Sequence, residues 1–520
     1  MRTVPRKAKA GGKASAKALT VASSPQEQCL RNSDLVDQIL RHFLEPNGRS
    51  SLSYRESVRN IRSQRLHLYA AALTSRAFSH SAIKLLWRRL DNLLPLLRLL
   101  PTFNLTGKKY DLEGVVEAAD WDTFDRHAAL CREIVYQEPS RTVNPLVYVR
   151  LAMRKSIPLP NLSRFACGSG SPQTDVLFYI SPSLVSLSLS STSATETFLT
   201  LLSLESPPLA YLFLSGLPST TLALCSAFRD LQSISLTDVD GAIDPQGFLA
   251  MASMPSLKSL KTDLIGWNQV TLESIAPDSI FCALTDLIIE AGTRPMQRTM
   301  PLLVTRIGAP AITSIRIDLV RDYEPWDTPT ASGETFAALA SCISSCWQTS
   351  LWNLEVQGLR CAVDDFCALQ GLSRIKTISL KKVLQGSLGD ERVLNIMRTW
   401  SHLTSLAIDG ADADLEFIKC LAQHCPVLRT LSVAFLPVNL PDISTTPLLA
   451  HSLSELQFFP VIGQERRWPQ VDVHVAARHI DRMFPQITSL SGEGYQNQWE
   501  EIQKLVFMCQ DVRRTAWEQK

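Results

Sequence analysis

Twelve cysteines and nine histidines are distributed over 520 residues, and three groupings among them have the residue types to do chemistry. Cys342 and Cys346 stand four apart in FAALASCISSCW, which reads as one helix, with Cys361 and Cys367 following. Thiolates one helical turn apart are the outline of a zinc site. The spacing is atypical, however, no histidine falls in that window, and small thiols packed in a core account for the same residues. His474 and His479 are five apart on a helix-like stretch, a spacing that suits a shared metal poorly. His424 beside Cys425 pairs a base with a nucleophile, but Cys425 sits where the chain needs a buried residue, and burial silences a thiol. No G-x-x-x-x-G-K-S/T loop, H-E-x-x-H helix, G-x-S-x-G elbow or kinase signature set occurs. The expectation is a protein with no catalytic residues, no metal and no cofactor.

The elements that position side chains are more informative. Apolar residues at 45% and charged residues at 20% exclude a largely disordered chain, and a net charge of +2 selects neither a nucleic-acid binder nor an acidic solvating protein. The length exceeds one ordinary core. Without a C-x-x-C pair or an N-terminal apolar run, the thiols read as reduced, in the cytosol or nucleus. The most apolar segment, 93–100, is short and carries Arg98, so no membrane span is expected. Residues 1–28 hold Arg2, Arg6, Lys7, Lys9, Lys13 and Lys17 with no acid before Glu27, and read as a disordered basic tail. Such a tail serves as a nuclear-import signal, a tether to an acidic partner, a mitochondrial transit peptide or simply a solvated end.

From 29 to 100 the pattern is helical. In NSDLVDQILRHFL, Leu35, Ile39 and Phe43 recur at i, i+4 and i+8 beside Val36, Leu40 and Leu44, with Asn32 or Ser33 as the cap. A polar stretch from Glu45 to Arg65 containing Pro46 and Gly48 reads as an inserted loop. Helical spacing returns at Leu66, Tyr69, Ala70 and Leu73, then at Phe78, Ala82, Leu85 and Leu86, closing at Trp87, Arg88 and Arg89. The order DLVDQIL, a linker and YAAALTSRAFSHSAIKLLWRRLDNLLPLL resembles the F-box of fungal F-box proteins, with Arg31 and Asn32 where that family has Leu-Pro. The resemblance implies that the segment docks a Skp-family adaptor of a cullin ligase through Leu35, Ile39, Leu40, Leu73, Phe78 and Trp87. Read from the residues alone, the alternative is a three-helix cap that closes a neighbouring core.

Beyond residue 155 short phrases of the form L-x-x-L-x-L take over, beginning at Leu184, Leu209, Leu231, Leu257, Leu284, Ile312, Leu351, Ile375, Leu403, Leu428, Leu453 and Ile487. Most starts fall in or beside the ~20–29-residue spacing of leucine-rich repeats. LEFIKCLAQHCPVLRTLSV resembles the cysteine-containing repeats of F-box proteins, with Cys425 and Pro426 ending a helix before the strand residues Leu428, Leu431 and Val433. The expected fold is α/β: a leucine-rich-repeat solenoid over 155–500, with a parallel inner sheet and outer helices, preceded by a small all-α F-box-like segment. No asparagine position recurs. Residues 101–154, where Trp121, Phe124, Ala128, Cys131, Ile134 and Val135 trace a helical face, read as linker or capping helices, and 501–520 as a C-terminal helix or cap.

Alternation along a strand puts the third, fifth and seventh residues of each phrase on the concave face. They are serines with Tyr211 and Phe213 at first, then Lys261, Asp263, Asp286, Glu290, Arg316, Asp318, Glu355, Lys381 and Asp409, with Glu455 and Glu493 later. Eight acids against three bases predict a basic or mixed-charge protein segment as ligand and disfavour nucleic acid. Tyr323 and Trp326, flanked by Asp322, Glu324 and Asp327, are expected on a rim loop suited to recognition. The reading is a non-catalytic substrate receptor of a cullin-based, SCF-type ubiquitin ligase. The alternative is a repeat scaffold without ligase association.

Overall fold

The computed structural model describes residues 29–30, 32–42, 54–138, 142–154, 157–168, 174–190, 195–216, 218–238, 245–263, 267, 269–275, 281–290, 294–318, 332–358, 361–381, 384–435, 440, 442–446, 448–449, 451–459, 472–493 and 496–518. It divides into two compact units, Met1–Leu90 and Asp91–Lys520.

Among the described residues the first unit carries helices α1 (Ser33–His42), α2 (Tyr54–Thr74) and α3 (Arg76–Arg88). Asn32 is the cap of α1, its Oδ1 accepting the N–H groups of Asp34 (3.1 Å) and Leu35 (3.3 Å). Ser75 caps α3 through Phe78 N–H at 3.3 Å. Val36 and Leu40 of α1, Leu68 of α2, and Ala82 and Leu85 of α3 form the core, with Ala71, Ala72, Phe78 and Leu86 packed on it. The loop expected over Glu45–Arg65 is shorter than the sequence suggested, because α2 begins at Tyr54. Both breakers, Pro46 and Gly48, precede that point, and nothing after them stops a helix.

In the second unit parallel strands run in order from Glu133–Tyr136 to Ser489–Gly492, as part of a 15-stranded sheet. The register is that of the phrases. The fourth residue of each pairs with the fourth of the next: Leu187 with Leu212, Leu260 with Leu287, Ile315 with Leu354, Leu406 with Leu431. First and fourth residues are buried throughout, so each strand turns its aliphatic side inward and its alternate residues outward.

Backbone hydrogen bonds close the turn into each strand. The carbonyl of each second residue accepts two N–H groups from the next phrase, as Lys258 O does from Thr285 (2.8 Å) and Asp286 (2.9 Å). Where the second residue is Thr or Ser its hydroxyl donates to that same carbonyl: Thr285 to Lys258 O, Thr404 to Lys376 O, Ser454 to Arg429 O, Thr488 to Ser454 O. The backbone bonds close the turn into each strand, and the hydroxyl adds a further donor to the carbonyl.

The sheet reaches further toward the N-terminus than residue 155. Glu133–Tyr136 pairs with Arg164–Cys167 in the same parallel sense. The helical face traced through Trp121 to Val135 is therefore two elements, a helix at Ala118–Ala128 and then that strand. Ile134, Val135 and Tyr136 are all buried, so the run carries neither a helical nor an alternating period. A hairpin of Phe103–Thr106 and Lys109–Leu112 lies in the same region. At the other end, helix Gln496–Glu518 lays Trp499, Ile502 and Val506 inward, and Trp499 stacks on Phe458 with ring centroids 4.5 Å apart.

Candidate functional site

On the helical unit the six residues expected to dock an adaptor separate into two groups. Leu35, Ile39 and Leu73 are exposed at 41%, 42% and 69% of their surface. Leu40, at 1%, is core and offers no docking contact, and Phe78 packs on that core. Trp87 is half-buried. The correction at Leu40 follows from helical geometry: Val36 and Leu40 share the inward stripe of α1, which turns Leu35 and Ile39 outward. On α2 the apolar residues read at helical spacing, Leu66, Tyr69 and Leu73, are all exposed, and Leu68 is buried with Ala71 and Ala72 packed beside it. Leu66 and Tyr69, spaced i, i+3 and i+7 with Leu73, thus join the exposed apolar row.

On the open face of the sheet, charges pair. Lys261 Nζ lies 2.8 Å from Glu290, and Arg316 reaches Asp318 (3.9 Å) and Glu355 (3.6 Å). Glu355 also holds Lys381 at 3.7 Å. Arg316 and Glu355 are in direct register, whereas the other two interstrand pairs are diagonal neighbours two residues along. All are partly solvated, so each contributes ~0.2–1 kcal/mol. Their larger effect is on the potential: the three bases offset Glu290, Asp318 and Glu355, so the acidic lean of the face positions is reduced on the middle strands to Asp286 and Asp409.

Asp263 is not a face residue. It is buried, and its carboxylate accepts the N–H of Asp238, whose φ of 52° is left-handed. That carboxylate holds a strained turn in place and leaves no surface for a ligand. Asp286 and Asp409 are half-buried on the face. Tyr211 is 54% exposed, and Phe213 is partly covered, each flanked in register by serines. Tyr323 and Trp326 lie outside the described residues.

The buried thiols and imidazoles belong to the core. Cys425 is fully buried, its Sγ 3.7 Å from Met397 O, and burial pushes its thiol up to about 12; Cys131 and Cys225 reach about 12 for the same reason. Burial also raises the Cys342 thiol, with Cys346 adding to it. Among the described residues no group of three or more His, Cys, Asp or Glu is arranged to hold a metal. His479 is buried and hydrogen-bonded to Thr446 at 2.6 Å, while His474 is exposed. No helix among the described residues is long and apolar enough to cross a membrane.

The architecture is a leucine-rich-repeat solenoid. No family model matches the chain, and no curated protein matches it. Among solved structures it is similar to the TLR13–ssRNA13 complex, at 12% identity and a TM-score of 0.30, over 65% of this chain and 50% of that one. It is also similar to the plant peptide hormone receptor RGFR1 in complex with RGF2, at 12% identity and a TM-score of 0.30, over 68% of this chain and 58% of that one. The chain thus spans 50% and 58% of the length of these two proteins.

Proposed function

We propose that this chain is a non-catalytic substrate receptor of a cullin-based ubiquitin ligase, with the three-helix unit docking a Skp-family adaptor and the repeat array holding a protein substrate. One observation supports it above the rest. The unit's core is already closed by Val36, Leu40, Leu68, Ala82 and Leu85, yet Leu35, Ile39 and Leu73 stand in solvent. Apolar anchors exposed on so small a unit are the kind a partner covers, and such anchors dominate binding energy. The chain supplies no bond-making group in this reading; its contribution is to position one protein near another, in the cytosol or nucleus. On the array, Tyr211, Phe213 and the paired charges from Lys261 to Lys381 fit a mixed-charge segment of the substrate.

Co-expression with a Skp-family adaptor, followed by size-exclusion chromatography, tests the reading. Wild type is expected to co-elute and Leu35→Asp plus Ile39→Asp is expected to lose the adaptor with unchanged circular dichroism. A folded wild type that elutes alone would favour a scaffold that binds partners through the array without a ligase.

A further inference from the structure

Just outside the sheet face the charge pattern changes. The second residue of each phrase and the turn before it form a rim at the N-terminal ends of the strands. Over four successive strands, Asn353–Gln357, Thr377–Lys381, Ser405–Ala413 and Thr430–Phe435, this rim carries Trp352, Arg374, Lys376, His402 and Arg429, all exposed. Lys376 Nζ sits 4.3 Å from the centroid of the Trp352 ring, and the indole remains 46% exposed. None of the four basic side chains forms an ion pair among the described residues. The segments that reach the rim, 347–354, 367–377, 399–408 and 420–434, contain no Asp or Glu, in a chain with 50 acids. Helix C-termini favour a nearby cation, which explains a single base at such a position. It does not explain an exposed tryptophan beneath a lysine.

We propose that this rim docks an acidic segment of a partner protein, laid across the strands with carboxylates against Arg374, Lys376 and Arg429 and an apolar side chain on Trp352. From Trp352 to Arg429 is three strand steps, ~14 Å at the usual ~4.8 Å spacing. About four extended residues cover that distance. A nucleic-acid strand fits less well, because Glu355 and Asp409 occupy the adjoining face and Glu455 stands on the next strand. This goes beyond the adaptor reading, since it concerns the array alone.

The test uses the full chain and fluorescence anisotropy with labelled octaglutamate, octalysine and oligothymidine. Octaglutamate is expected to bind and octalysine not to bind this rim. Arg374→Glu plus Lys376→Glu is expected to weaken octaglutamate at least tenfold, while Arg374→Lys plus Lys376→Arg retains it. Failure of octaglutamate to bind at low salt, equal binding by the charge-reversed variant, or tighter binding of oligothymidine would each overturn the proposal. Adaptor co-elution measured on the same variants separates the two ideas. Peptide binding lost with adaptor retained localises the effect to the rim, and absence of adaptor in wild type with peptide bound leaves the rim standing.

Discussion

Gly492 and Trp499 lie so close that a methyl group on the glycine would overlap the indole ring. Gly492 pairs with Phe458 across the last strand step, and Trp499 stacks on that same phenylalanine. The glycine leaves the space through which the C-terminal helix closes the end of the array. Gly492→Ala should push the indole off Phe458 and cost ~1–3 kcal/mol, as overpacking does. Trp499→Ala should cost ~3–5 kcal/mol. Chemical denaturation followed by circular dichroism reads both, and an unchanged midpoint for either would show that the lid does not bear on stability.

A second glycine carries the same logic. A Cβ on Gly389 would overlap the carboxylate of Asp414, which caps helix Leu415–His424 by accepting Phe417 N–H at 2.8 Å. Asp414→Ala alone should cost ~0.5–2 kcal/mol. In a double-mutant cycle, Gly389→Ala should be markedly less harmful once Asp414 is alanine; strict additivity would refute the contact.

His451 makes stability depend on pH. Its Nδ1 accepts Leu453 N–H at 3.0 Å, so Nε2 carries the proton and donates to Cys425 O at 2.8 Å. Burial lowers its pKa from 6.5, outweighing the opposing effect of the carbonyl. A depressed histidine contributes stability that is full above the unfolded value and lost as pH falls through and below it. Thermal melts from pH 8 to pH 5 should therefore drop below about pH 6.5. His451→Gln should start lower at pH 8 and fall less steeply.

Neighbouring residues of α1 should respond in opposite ways. Leu40→Ala removes a core side chain and should cost ~2–5 kcal/mol. Leu35→Asp and Ile39→Asp change exposed positions and should stay within ~0.5 kcal/mol while abolishing adaptor binding. Comparable destabilisation by all three would mean that the outward face is structural.

Glu355 neutralises both Arg316 and Lys381. Glu355→Gln should change stability by less than ~1 kcal/mol, because the pairs are solvated. It should remove one negative charge beside Arg316 and Lys381 and strengthen octaglutamate binding at low salt, an effect that 0.5 M salt should erase.

Much of the array was legible in the chain. Leu and Ile at the first and fourth places of each phrase cannot be left in water, so their spacing dictates a strand per repeat and a parallel stack that buries them. Cys425 as a silent buried thiol followed from the same spacing. The strand Glu133–Tyr136 was not legible, since three consecutive buried residues carry no period. Nor was the start of α2 at Tyr54, where only the absence of a breaker marked it.

By itself, then, the sequence determined the repeat, its register and which side of each strand is apolar, because these depend on local periodicity and burial. Only the tertiary structure decided which charges meet. Arg316 and Glu355, or Lys261 and Glu290, are a whole repeat apart along the chain and become neighbours because stacked strands lie ~4.8 Å apart. The same packing settled that Leu40 faces inward and Leu35 outward on one helix, and that Asp263 holds a turn instead of a ligand, since burial depends on what the rest of the fold places opposite a side chain.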